Sequence, residues 1–347
     1  MKIYLFFLTV FITLFLQNCS IKKNNNFVDL PNISLEEEEK EIFLQKKILI
    51  NEMTNASKLL HQIAWPILKH NKDICYKEGS FSFGVIFAAK EDLPKKDSRF
   101  FVKIFNKNIA QTFFKKYGSD SFPVVISVAK ESPADQSNIL EGDIILKINN
   151  VISTTNFRNK LKKAFIKSSK LSLTILRNGK ILSKDIKGIK ICNYNIQPIP
   201  SPAPNAFADG EKIFITLAAI KLAKSVDELA FLIGHELAHN IFHYNYTKGS
   251  EANSLSINYS DLPKIKSLNS FFMYSTQSRE IEADLKGIEL AFRGGYSLDN
   301  VNDYWRRLSV FNPDMIASPS TIYKSNALRA IMISKTLKKL KSLNGKK

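Results

Sequence analysis

The chain has 347 residues, 44% of them hydrophobic, which is enough for two or three domains with cores of their own. Its formal net charge of +18 comes without an RNP, zinc-finger or helix-turn-helix signature, which argues against nucleic acid as a partner. No long apolar stretch follows Leu16, which argues against a protein built into the bilayer through several spans.

Taken in order, Lys2 precedes an apolar run from Ile3 to Leu16. The run is short for a membrane span but has the length of a signal-peptide core. It ends Leu16-Gln17-Asn18-Cys19, and a Leu three residues before a Cys resembles a bacterial lipoprotein signal. That resemblance implies export, lipidation of Cys19 and attachment to a membrane surface. With Ser20 next in the chain, it points to the periplasmic face of the envelope as an outer-membrane lipoprotein. Gln17 and Asn18 depart from the small residues usual there; an ordinary signal peptide or an uncleaved anchor is the alternative. Residues 1–19 are thus read as a signal peptide, and 20–33, polar and Asn-rich, as a flexible tether.

Ser34 and Glu37 form a capping box, and an amphipathic pattern (Ile42, Phe43, Ile50, Met53, Leu60) predicts a helix to about Lys69, broken near Pro66. Residues 34–78 are read as a helical segment that belongs to a later domain. From Gly79 to Lys190 short strand-like runs take over: Gly84–Phe87, Val102–Phe105 and Val124–Val128. The stretch from Ser132-Pro133-Ala134 through Gly142-Asp143-Ile144 to Asn149 resembles the signature of bacterial PDZ domains, with Asn138 at a usual glycine. A helix over Thr154–Lys167 and a hairpin turning at Asn178-Gly179 follow. Residues 79–190 are therefore read as a β-rich PDZ-like domain inserted in the chain. The resemblance implies binding of an extended peptide at a sheet edge. The loop Gly79–Gly84 either supplies backbone N–H groups for a terminal carboxylate or simply opens the first strand.

With Cys19 lipidated, Cys75 and Cys192 remain, an even pair flanking the inserted segment. The ends of an inserted domain lie close together, so a Cys75–Cys192 disulfide across its base is expected in an oxidising compartment, two buried thiols being the alternative.

Pro198–Pro204 reads as a stiff connection, and Lys212–Thr216 as a strand. Ser225 and Glu228 then cap a helix that is apolar nearly all round and carries His235-Glu236-Leu237-Ala238-His239. Two histidines four residues apart on a helix project from one face and can share a small cation, commonly zinc. Glu236 is rotated about 100° from His235, which suits it to holding and deprotonating a water. A ligand set completed by H-x-x-G-x-x-H is excluded, because Phe242 and Asn245 stand at the required Gly and His. The third ligand must come from elsewhere. Glu280 and Asp284, again four apart on a helix capped near Thr276 and ending before Gly294-Gly295, suit a ligand and a carboxylate that fixes a ligand imidazole. His243 either lines the cleft or supports the site from behind, and Tyr244–Ser275 is a polar flap or a long loop. Helices around Trp305–Leu308 and over Ser325–Leu340 close the chain.

Asn205-Ala206-Phe207-Ala208, His235 to His239, and Glu280-Ile281-Glu282-Ala283-Asp284 with Gly287 together resemble metallopeptidase family 48, which includes CAAX prenyl endopeptidases and HtpX. The resemblance implies an α+β fold overall: a mainly helical zincin-type domain over 191–347 with a small edge-strand sheet, beside the β-rich PDZ insertion. It implies one Zn2+ per chain on His235, His239 and Glu280, Glu236 as the catalytic base, and polypeptide substrates. It also suggests that the strand containing Ile213, Phe214 and Ile215, entered through Asn205, pairs with substrate, a buried structural strand being the alternative. The family's His-Pro-Ser is Ser318-Pro319-Ser320 here and a nearby Arg is Lys324, so the oxyanion donor is not given by the motif; Tyr304 is a candidate. The rival reading is an envelope peptide-binding or chaperone lipoprotein whose metal is structural or regulatory.

Overall fold

A computed structural model describes residues 31–75, 81–154, 156–167, 169–192, 194–244 and 276–344. The stretch expected to be a signal peptide, with Cys19, most of the expected tether, Gly79, Ser80 and the stretch 245–275 lie outside the described residues. By internal contacts the chain divides into two units, Met1–Ile42 and Phe43–Lys347. The described part of the first is the start of helix α1 (Leu35–His70), where Ser34 Oγ accepts from Glu37 N at 3.2 Å and Glu37 Oε2 accepts from Ser34 N at 2.8 Å. That reciprocal pair is the capping box.

Within the second unit α1 runs unbroken through Pro66, correcting the expected break. The ring removes one intrahelical bond, but Ile63, Ala64, Trp65, Ile67 and Leu68 are all buried around it and hold the helix in place. The middle of α1 packs Ile50 and Met53 against Ile86, Ala88 and Val124, while Leu60, Ile63, Ile67 and Leu68 join the main helical core.

The inserted segment is an antiparallel sheet of β2 (Val85–Ala88), β3 (Val124–Val128), β4 (Ile144–Ile148), β6 (Lys170–Arg177) and β7 (Lys180–Lys187) in that order, with β5 (Val151–Ile152) beside β4. At its base β1 (Phe81–Ser82) pairs with β8 (Ile189–Lys190). Asn178 and Gly179 turn the β6–β7 hairpin with φ of 50° and 76°, and Asn138 takes φ 53°. Helix α2 (Phe157–Lys167) lies over the core of this sheet. Val102–Phe105, expected as a strand, is helical within Phe101–Phe105. The rings of Phe101 and Phe105, four apart, meet at 4.9 Å between centroids, and an apolar run this short does not reveal its own period.

The outer edge of β2 is covered. Phe87 stands opposite Val125, whose N–H and C=O bond Asp143 and Gly142 on the far side. The Phe87 carbonyl therefore faces out of the sheet, and Arg158 Nη2 of α2 donates to it at 2.9 Å. Arg158 is itself held by the buried Asp92, with Nε to Oδ1 at 2.6 Å.

A second sheet has the order β10 (Ala206–Ala208), β11 (Lys212–Thr216), β9 (Asn195–Ile199). Here the sequence reading is corrected. Ile213, Phe214 and Ile215 form the middle strand, paired on both sides and buried, so β10 is the edge. Pro198 belongs to β9, an outer strand, where its missing N–H is tolerated. Around this sheet pack α3 (Leu217–Leu222), α4 (Val226–Ala238), α5 (Gln277–Arg293), α6 (Asn302–Leu308) and α7 (Asn326–Asn344). A disulfide joins Cys75, after α1, to Cys192, before β9, with Cα atoms 5.6 Å apart. Segregated helices, and sheets that are antiparallel but for the parallel β9–β11 pair, make the fold α+β.

Candidate metal centre

Ser225 starts α4 by accepting Glu228 N at 3.3 Å, and Glu228 Oε2 accepts Lys224 N at 2.7 Å. Eleven of the thirteen residues of α4 are buried, so its polar side chains must be satisfied inside the protein. After Ala238 the helix widens into a π turn over His239–His243.

Helix α5, capped by Thr276, crosses α4 where both have glycine. A methyl group on Gly287 would stand 2.6 Å from His235 N. This close crossing brings Glu280 to the two histidines. His235 Nε2 and His239 Nε2 are 3.2 Å apart, and Glu280 oxygens lie 3.5 Å from each. Ligand bonds of about 2.0–2.1 Å at tetrahedral angles give donor–donor edges of about 3.3 Å, so a small divalent cation fits this triangle. Glu280 Oε1 and Glu236 Oε2 are buried and have no hydrogen-bond partner, which is costly unless a cation or water is held there. Among the described residues, these three side chains form a His2Glu group able to hold a metal.

The ligands are supported from behind. His235 Nδ1 lies 3.0 Å from Asp284 Oδ1, and Arg329 clamps Asp284 through Nε and Nη2 at 2.7 and 2.8 Å. His239 Nδ1 meets His243 Nδ1 at 2.9 Å, and His243 Nε2 meets Glu282 at 3.1 Å. The sequence left His243 between two roles; the structure puts it behind His239. Glu282, Arg329 and Tyr323 were not singled out as site residues. The i+4 spacing of His243 was visible, but nothing in a Lys-rich C-terminal helix ties Arg329 to Asp284.

Electrostatics follow the same geometry. Burial disfavours charge on His235, but Asp284 and Glu280 hold its pKa up to about 10. Burial lowers that of His239 and pushes the Glu236 carboxyl up to about 7. The histidines hold Glu280 well below the usual range despite its burial, and Arg329 does the same for Asp284.

The centre opens into a cavity of about 460 Å3. His235, Glu236, His239 and Glu280 line it, with Pro202–Ala206 on the strand side and Tyr304, Trp305, Leu308, Phe311, Met315, Tyr323 and Arg329 on the helix side. Of the residues expected on the substrate strand, Asn205 lines the cavity; Ile213, Phe214 and Ile215 do not.

Residues 180–257, which contain His235 to His239, match the family model "Peptidase family M48". Residues 108–187 match the PDZ domain model. These matches are consistent with an M48 metallopeptidase carrying a PDZ domain, as the motifs imply. Among solved structures the chain is similar to "HtrA-type protease AlgW with decapeptide" at 20% identity, covering 33% of this chain and 30% of that one, with a TM-score of 0.22. It is also similar to the HtrA3 PDZ domain bound to a phage-derived ligand (FGRWV), at 27% identity over 23% of this chain and 76% of that one, with a TM-score of 0.19. The chain thus spans under a third of the AlgW protein's length. No curated protein matches it.

Proposed function

We propose that the chain is a zinc-dependent endopeptidase of the cell envelope, acting on polypeptides, misfolded ones among them, with its PDZ domain recruiting them. The observation that carries this is the convergence of His235, His239 and Glu280 around one point, with the unpartnered Glu236 carboxylate beside them in an open cavity. The chain would then comprise a signal peptide over 1–19, a tether over 20–33, a helical segment over 34–78, a PDZ domain over 79–190 and a zincin-type peptidase domain over 191–347. Lipidation at Cys19 and an outer-membrane position belong to it as well, and a Cys75–Cys192 bridge suits an oxidising compartment.

Bound to these ligands, zinc would polarise a carbonyl and make water acidic enough to deprotonate near neutral pH. The chain does the rest. His235, His239 and Glu280 would hold the ion, and Asp284 fixes the His235 ring. Glu236, with its pKa near 7, takes a proton from the attacking water and returns it to the leaving amine. The outer edge of β10 beside Asn205, where Asn205 Oδ1 accepts from Ala206 N at 2.9 Å and Tyr244 donates to the Ala208 carbonyl, would offer backbone groups to an extended substrate that displaces these side chains, the role first assigned to the middle strand.

The test compares full-length wild type in detergent with Glu236→Gln on an unfolded protein substrate, measuring zinc in both. Cleavage by wild type alone, with zinc in both, supports the reading. Zinc in both and cleavage by neither favours a binding protein with a structural metal; zinc in neither removes the proposal.

A further inference from the structure

Attack on an amide builds negative charge on the carbonyl oxygen, and one donor placed at that oxygen is worth about 10²–10³ in rate. We infer that the Tyr323 hydroxyl is that donor, an inference that rests on the endopeptidase reading.

The donors lining the cavity can be sorted by what already occupies them. Arg329 spends Nε and Nη2 on Asp284, at 2.7 and 2.8 Å. Asn326 Nδ2 donates to Ser309 Oγ at 2.8 Å. Trp305 Nε1 is shut away from solvent within the wall. Asn205 and Asn312 are exposed, where water competes for them. Apart from Arg329 Nη1, whose guanidinium is clamped onto Asp284, two phenols are left, Tyr304 and Tyr323, and neither hydroxyl is hydrogen-bonded by another described residue.

Position separates the two. Tyr323 is fastened to α5 on both sides of the ligand Glu280. Its turn is closed by Ser320 N to Tyr323 O at 2.8 Å and Tyr323 N to Ser320 Oγ at 2.9 Å. Gln277, three residues before Glu280, donates to Ser320 O at 2.6 Å and ties that turn to the start of α5. At the other end the Tyr323 ring faces the Arg329 guanidinium at 5.2 Å, and Arg329 is clamped to Asp284, one turn beyond Glu280. The phenol is thus held in the wall of the cavity that Glu280 also lines, by contacts that do not use its hydroxyl. Burial, reinforced by Glu280, Glu236 and Asp284, raises its pKa, so it keeps the proton it would donate. Tyr304 sits on α6, and burial raises its pKa as well, with Glu228 and Glu236 adding to it.

The test uses full-length, zinc-loaded protein in detergent, with wild type, Glu236→Gln, Tyr323→Phe and Tyr304→Phe on one unfolded substrate. Tyr323→Phe keeps the ring against Arg329, so a purely structural role predicts no change. The expected result is a kcat loss of about 10²-fold or more, with KM, zinc content and melting temperature as in wild type. Calorimetry with a peptide phosphonamidate, whose tetrahedral oxygens mimic the adduct, gives a readout apart from turnover: its affinity for Tyr323→Phe falls by a similar factor, while that of the uncleaved parent peptide for the Glu236→Gln background does not change when Tyr323→Phe is added. Cleavage abolished by Glu236→Gln but kept in Tyr323→Phe overturns this inference alone, as does a loss confined to Tyr304→Phe. No cleavage by zinc-loaded wild type overturns the endopeptidase reading and this inference with it.

Discussion

Gly234 and Gly287 meet backbone to backbone where α4 crosses α5, and the crossing sets the distance between the histidine pair and Glu280. A methyl group on Gly287 would fall 2.6 Å from His235 N and 2.7 Å from its Cα, both main-chain atoms with little freedom to move. Gly287→Ala is therefore expected to destabilise the fold by about 1–3 kcal/mol, the usual cost of overpacking. It should also weaken zinc binding, because the helices part beside a ligand. Thermal melting with and without chelator, alongside zinc stoichiometry, checks both. Unchanged values would mean that the crossing has slack.

Asp284 serves two neighbours, His235 and Arg329. In Asp284→Asn the Arg329 guanidinium stays buried, 4.0 Å over the Trp305 ring, without its counter-charge. Breaking such a pair from one side costs about 3–5 kcal/mol, and losing the carboxylate behind a ligand imidazole lowers metal affinity about 10–100-fold. The double variant Asp284→Asn with Arg329→Met separates the two: stability should return while zinc affinity stays low. Chelator competition and denaturant melts on both variants decide it, and recovery of zinc affinity in the double variant would place the effect in Arg329 instead.

What was legible in the chain was local. His235 and His239, or Glu280 and Asp284, are each related by one helical turn, so spacing alone puts them on one face. The Asn178-Gly179 hairpin declares its own turn. Pairing order is not local. The short apolar run within Lys212–Thr216 marks a strand but cannot say that β10 rather than β11 is the edge, since both are apolar and the answer depends on β9 pairing in parallel from earlier in the chain. Four apolar residues at Val102–Phe105 do not fix a period. Arg329 and Tyr323 reach the site from a segment whose sequence names no partner; only tertiary packing joins them to Asp284.

His61 on α1 sets its Nδ1 2.9 Å from Ser127 Oγ on β3. Burial holds the imidazole down to about 4, from an ordinary 6.5, so the unfolded chain binds this proton more tightly than the folded one. The sign follows: the contribution to stability is whole above about pH 6.5 and is lost as pH falls toward 4. At 1.36 kcal/mol per unit the loss is at most about 3 kcal/mol, reduced by the water this half-buried ring still meets. His61→Gln keeps a hydrogen-bonding group without the titration. Its denaturant-derived stability should therefore fall less than wild type between those two pH values, and parallel curves would remove His61 as the cause.

Arg158 and Asp92 close the β2 edge of the sheet, one of the two edges to which a peptide could be added. The Phe87 carbonyl, the group an incoming strand would meet, already accepts from Arg158 Nη2 at 2.9 Å, and the Phe87 and Phe157 rings meet at 5.5 Å between strand and helix. A peptide must displace that bond before gaining its own, and a hydrogen bond from a charged donor is worth about 1.5–3 kcal/mol. Removing the pair together, as Arg158→Met with Asp92→Asn, avoids stranding a buried carboxylate. It should raise affinity for peptides with a free C-terminus about 10-fold or more. Fluorescence anisotropy with a labelled peptide pool on the full-length protein measures it. Equal affinities would show that the edge opens without help, or that peptides bind elsewhere on the sheet. A gain confined to the variant would mean that substrate capture depends on first releasing α2 from β2, so that recruitment is gated within the PDZ domain before the metal centre is reached.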